Sequence, residues 1–195
     1  MIDSIGLLTS RLALGLSYAA HGAQKAFGWF EGPGPEGAAG FMESLGFKPG
    51  KQYAIVASDG EVAAGLMIAL GLGGPIGPAI VLSGMVVAQS SVHAKNGFFA
   101  SKNGVEVGLL YAAGALALAS SGYGAISLDR ALGLEQKLHH PVLTTLLLAG
   151  ALAAGYAILA QRDTGPPEGT LATPTMQGGR RNGETAGSEP APATP

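Results

Sequence analysis

Between Thr9 and Phe30 the chain reads TSRLALGLSYAAHGAQKAFGWF, an apolar stretch that nevertheless carries Arg11, His21 and Lys25. At about 100° per residue, Arg11, Tyr18, His21 and Lys25 share an arc of roughly 80° on one helix face. Two cations, an imidazole and a phenol on one stripe can hold an acceptor, pass a proton or neutralise a carboxylate. At membrane depth a charged group costs roughly 2.5–3.5 kcal/mol even on insertion scales, so such groups face a bundle interior or a wet cavity. The bland alternative is that Arg11 and Lys25 snorkel to opposite interfaces.

Counterparts for this stripe occur in later apolar segments. Asp59 and Glu61 point nearly opposite ways on a helix, so only one can face a bundle. Glu61 shares its face with Gly65, Ile68 and Leu72 and is expected inside, with Asp59 at the rim. Gln89 and His93 are four apart on one face, and Glu106 opens another apolar run. The candidate pocket is therefore Arg11, Tyr18, His21, Lys25, Glu61, Gln89, His93 and Glu106, gathered in a layer near one membrane face. Glu61 and Glu106 could neutralise Arg11, Lys25 or a protonated histidine. Arg11 lies about 15 Å along the axis from His21, so an Arg11–Glu61 contact requires helix tilt.

Each member has a structural alternative. Glu106 can be a first-turn carboxylate favoured by the helix dipole, and Gln89 a helix–helix hydrogen bond. His21 and His93 can be interfacial histidines, and the whole set a charge network that fixes helix pairing. His139 and His140 are too few for a metal site, so no metal is expected, and no residue is assigned as catalytic.

The elements that must position these groups follow from composition. The 195 residues carry a net charge of −2, 47% hydrophobic and 12% charged residues, and a mean hydropathy of +0.32. Soluble domains hold about 25% charged residues, which with the long apolar runs places this chain among integral membrane proteins. Its 32 glycines sit within apolar runs, as close helix packing requires. The absence of cysteine removes disulfides, thiolate metal sites and thiol redox chemistry. Near-neutral charge, with no basic cluster beyond Arg180–Arg181, argues against nucleic acid. MIDSIGLL has no basic start, so the first segment reads as a retained helix, not a cleaved signal.

Five segments approach the ~20 residues that cross a bilayer: 5–27, 53–72, 76–93, 105–121 and 142–160. The expected fold is an all-α membrane protein, a four-helix transmembrane bundle over 1–130 with an interfacial linker at 131–141. A fifth transmembrane helix at 142–160 and a disordered tail at 161–195 follow. Residues 35–46 predict a short amphipathic interfacial helix, and 128–138 another short helix. Lysines and arginines number eight on the side of the first loop, third loop and tail, against three on the other. The positive-inside rule then places that loop and the tail in the cytoplasm.

R-L-A-L-G at 11–15, H-G-A-Q-K-A-F-G-W-F at 21–30, F-M-E-S-L-G at 41–46 and G-E-V-A-A-G-L-M-I-A-L-G at 60–71 resemble the DoxX family of small bacterial membrane proteins. V-H at 92–93, N-G-V-E at 103–106 and G-Y-G-A-I-S-L-D at 122–129 fit the same pattern in the same order. The resemblance implies a four-helix membrane bundle over residues 7–129, with the fifth span outside it. It also implies kinship with the DoxD-type subunit of thiosulfate:quinone oxidoreductase. A mycobacterial relative is linked to a membrane oxidoreductase complex with superoxide dismutase and a sulfurtransferase. Arg11, His21, Lys25, Glu61, His93 and Glu106 match the family's polar positions, for which no reaction is assigned.

Three functions compete. The first is an accessory or quinone-interacting subunit of a membrane oxidoreductase in the bacterial cell membrane, with quinone as the candidate cofactor. Its partners would be the lipid bilayer and other membrane or peripheral protein subunits. A second is a non-catalytic assembly or adaptor protein. The third is a small-solute or proton pathway, for which no inverted repeat is evident.

Overall fold

A computed structural model describes residues 2–165, and all regular structure among them is helical. The helices are α1 (Ile2–Phe27), α2 (Gly34–Ser44), α3 (Gly50–Leu70), α4 (Ile76–Ala88), α5 (Glu106–Ser121), α6 (Leu128–Ala131), α7 (Glu135–Leu138) and α8 (Pro141–Leu159). Among the described residues, three helical stretches are long and apolar enough to cross a membrane: Gly50–Leu70, Ile76–Asn96 and Pro141–Leu159. Glu106–Ser121 is apolar but shorter. α1 is 26 residues long, yet Arg11, His21, Gln24 and Lys25 dilute it, and it is not one of the three. The expected tail lies outside the described residues from 166 onward.

Glycine and proline set the helix ends. Gly71 closes α3 at φ +67, where a residue with a side chain is strained. Proline opens α2 and α8 at positions where its missing N–H is no loss. The expected single helix over 128–138 is instead two four-residue turns. Gly133, at φ +66, breaks it, and the Leu134 amide bonds back to Asp129 O at 2.8 Å. The third expected span changes pitch near its end: Gln89–His93 form a π turn and Ala94–Asn96 a 3-10 turn.

Small residues bring α1 against α3. A Cβ on Gly15 would lie 2.5 Å from Gly65 O, and one on Gly65 would lie 2.4 Å from Ala19 N. Farther along, a Cβ on Gly22 would lie 2.7 Å from Ser58 O. Without a hydrophobic drive between helices in lipid, this close approach is what holds such a seam. Gly155 does the same for α8, where a Cβ would stand 2.8 Å from the Cβ of Val86 on α4.

The core runs through Tyr18, Ile68, Val81, Leu82, Leu118 and Tyr123, and Ala151 of α8 belongs to it. α8 is therefore packed into the bundle. Its end returns to the corner between α2 and α3. The Arg162 Nε donates to Leu45 O, the Asp163 amide donates to Gly46 O at 2.8 Å, and the Tyr53 hydroxyl donates to Gln161 Oε1 at 2.9 Å. Residues 161–163, expected to begin a disordered tail, are thus bonded to that corner.

Candidate functional site

The last turns of α1 and the first half of α3 meet at one end of the bundle. There Lys25 Nζ lies 2.5 and 2.6 Å from the two carboxylate oxygens of Glu61. The Lys25 side chain is 30% exposed and that of Glu61 15%. Position along the helix explains the pairing, because Arg11 lies 14 residues earlier, about 21 Å along the axis. The contact considered between Arg11 and Glu61 does not form, and Lys25 takes the carboxylate.

Above this pair the stripe continues inward. Tyr18 is buried, its ring 5.3 Å from that of Tyr111 on α5. The His21 ring meets the same tyrosine edge-on at 6.1 Å, on an exposed position. Tyr111 was not singled out by sequence reasoning. An aromatic within a uniformly apolar helix gives no periodic signal.

Gln89 leans from the π turn onto Gly108 of α5, occupying the space where a Cβ would sit, and its Nε2 donates to Val105 O at 3.5 Å. His93 and Glu106 do not join Lys25 and Glu61. His93 Nδ1 lies 2.9 Å from Asn103 O, and Glu106 Oε2 accepts the Ala100 amide at 2.8 Å. Both side chains hold the loop between α4 and α5. Glu106 forms no ion pair with Arg11 or Lys25 of α1; its carboxylate faces the loop amide instead.

Arg11 stands apart from this end altogether. Its guanidinium is buried, donates to Ile126 O, and packs on the Cα side of Gly71. Beside it, Asp129 is buried and accepts the amides of Gly73 at 2.9 Å and Gly74 at 2.7 Å. The expected single layer is therefore divided into a Lys25–Glu61 end, a His93–Glu106 loop and an Arg11 knot.

Against the Lys25 end lies a groove of about 390 Å³, bounded by α1, α2 and α3. Phe27, Ala39, Ala54 and Ile55 supply apolar wall, while Lys25, Glu36, Lys51, Ser58 and Asp59 supply polar groups. Its size is within the range of small-molecule sites, roughly 300–1,000 Å³. Asp59 is exposed on its rim. The groove depends on α2 folding back along α3, which no local sequence signal encodes.

The model of the DoxX family matches residues 6–94 of this chain. No curated protein and no solved structure matches it. The match takes in α1 through the π turn of α4 and contains Arg11, Tyr18, His21, Lys25, Glu61, Gln89 and His93; Glu106 and the 122–129 segment lie beyond it. With its apolar helices this is a membrane protein, and over residues 6–94, a little under half of its length, it is similar to the DoxX family.

Proposed function

We propose that the protein is a quinone-interacting accessory subunit of a membrane oxidoreductase, a multi-pass protein of the bacterial cell membrane. In this reading α1 and α5 cross the bilayer with the three longer apolar helices, giving a four-helix bundle over 1–130 and a fifth span. The single observation that carries it is the groove of about 390 Å³ lined by Lys25, whose ammonium is in turn paired with Glu61 behind the lining. An apolar wall suits an isoprenoid-bearing ring. The Lys25 ammonium can donate to a quinone carbonyl, and Glu61 or His21 can exchange the protons that accompany reduction. The electrons come from a reduced centre in a partner subunit, since the chain has no cysteine and its own part is binding and proton exchange.

The test is lipid extraction from protein purified in membrane nanodiscs. The expected result is near-stoichiometric quinone in the wild type and its loss in Glu61→Gln and His21→Ala, with helix content retained. Wild-type protein free of quinone, or variants that keep it, would overturn the reading.

A second reading, the assembly or adaptor protein, is favoured by a different observation. His93 and Glu106 use their hydrogen bonds on their own loop, and Lys25 and Glu61 use theirs on each other. Under that reading the same substitutions leave function intact, whereas deleting the α2 loop or α8 removes it.

A further inference from the structure

Arg11 is 3% exposed, and two of its three guanidinium nitrogens, Nε and Nη1, have no hydrogen-bond partner. Its only hydrogen-bond acceptor among the described residues is the carbonyl of Ile126. Buried charges are normally paired or fully hydrogen-bonded, because an isolated ion in a low-dielectric surround is strongly disfavoured. The nearby carboxylate, Asp129, has its two oxygens engaged by the Gly73 and Gly74 amides and forms no ion pair with Arg11. The other carboxylate of this loop, Glu135, is paired with Arg130 at 2.6 Å.

Arg11 is not alone in lacking partners here. Tyr123, 1% exposed, has a buried hydroxyl without a partner, and so does Nε2 of His139. The Tyr123 and His139 rings meet edge-on at 5.8 Å. Of the six buried side-chain polar atoms without partners among the described residues, these groups account for four. The remaining two, on Gln89 and Ser91, belong to the π turn. Polar groups left without partners are therefore concentrated at the end of the bundle opposite the Lys25–Glu61 pair.

We propose that Arg11, Tyr123 and His139 form a binding site for a small carboxylate-class monoanion. One unpaired cation calls for one negative charge. Donors from a guanidinium and a phenol suit the oxygens of a carboxylate, which only accepts. The room is limited: a Cβ on Gly71 would lie 1.8 Å from Arg11 Nη1, and one on Gly122 would lie 3.2 Å from the His139 ring. The occupant is accordingly an anion of few atoms, of formate or acetate size.

The test uses purified full-length protein and formate, with chloride at matched ionic strength as the control. Formate raises the thermal midpoint saturably in the wild type. Tyr123→Phe, which keeps the ring and removes one donor, weakens the apparent affinity roughly two- to tenfold. Arg11→Gln abolishes the effect, and Lys102→Met, which removes an exposed cation of the α4–α5 loop, leaves it unchanged. Should Arg11→Gln fail to fold, Tyr123→Phe and His139→Ala carry the same test. If formate acts no differently from chloride on the wild type, the unpartnered groups are bridged by water and the site does not exist. A formate effect that survives in Tyr123→Phe and His139→Ala alike is a general salt effect and equally overturns the proposal.

Discussion

The ammonium of Lys25 bridges both carboxylate oxygens of Glu61, joining α1 to α3 along their glycine-lined seam. Removing one partner of a fully buried pair costs roughly 3–5 kcal/mol, since the survivor is left charged in an apolar surround. With Lys25 30% exposed, water screens part of that. We expect Glu61→Gln or Lys25→Met to cost about 1–3 kcal/mol. The double variant Lys25→Met with Glu61→Met regains most of the loss. Denaturant unfolding in detergent measures all three.

The seam itself is tested by adding one methyl group. Gly65→Ala places a carbon 2.4 Å from the backbone nitrogen of Ala19, which only helix separation relieves. Overpacking of this kind costs about 1–3 kcal/mol. Gly150→Ala on α8 meets nothing within 4 Å and leaves the thermal midpoint unchanged or slightly raised. Equal effects at the two positions would remove the seam as the explanation.

Asp129 fastens the 122–129 segment to the turn between α3 and α4 through the Gly73 and Gly74 amides. Asp129→Asn replaces one acceptor oxygen with an NH₂ facing an N–H donor. The expected cost is about 1–3 kcal/mol. Hydrogen exchange at Gly73 and Gly74 accelerates, while that at Gly65 is unaffected.

Burial pushes the Tyr123 phenol well above its usual range; Asp129 adds to the rise and Arg11 opposes it. In the unfolded chain a tyrosine ionises near pH 10, roughly, while the folded protein holds the proton. This contribution to stability is therefore complete below about pH 10 and is lost as the pH rises past it towards the folded value. Thermal midpoints taken between pH 8 and 11 fall more steeply above pH 10 in the wild type than in Tyr123→Phe.

Local signals made the helices legible. Expected ranges of 53–72 and 142–160 correspond to Gly50–Leu70 and Pro141–Leu159, since apolar runs and their glycine or proline boundaries are encoded in neighbouring residues. The amphipathic segment at 35–46 corresponds to Gly34–Ser44 for the same reason. What depends on distant contacts was not legible. The π turn at Gln89–His93 arises where Gln89 meets Gly108, a residue on another helix. The partition of the ionisable residues also depends on rotation and on loop bonding. Glu106 could serve a pocket or its own loop from the same sequence position, and the Ala100 amide decides. Asp129 sits in a polar loop and gives no sign of burial until the turn at 71–74 is folded against it.

The strap at Arg162 and Asp163 limits how far the chain can be shortened. The matched module ends at residue 94, but the packed core does not. Tyr18 and Val81 from inside the module share their core with Leu118, Tyr123 and Ala151 from beyond it, and the Leu45–Gly46 corner receives its bonds from residues 162 and 163. A chain shortened to residues 6–94 would strip Arg11 of its Ile126 carbonyl and Tyr18 of its Tyr111 and Leu118 neighbours. Truncation before α8 would likewise leave the α4 face at Val86 and the Leu45–Gly46 corner without their partners.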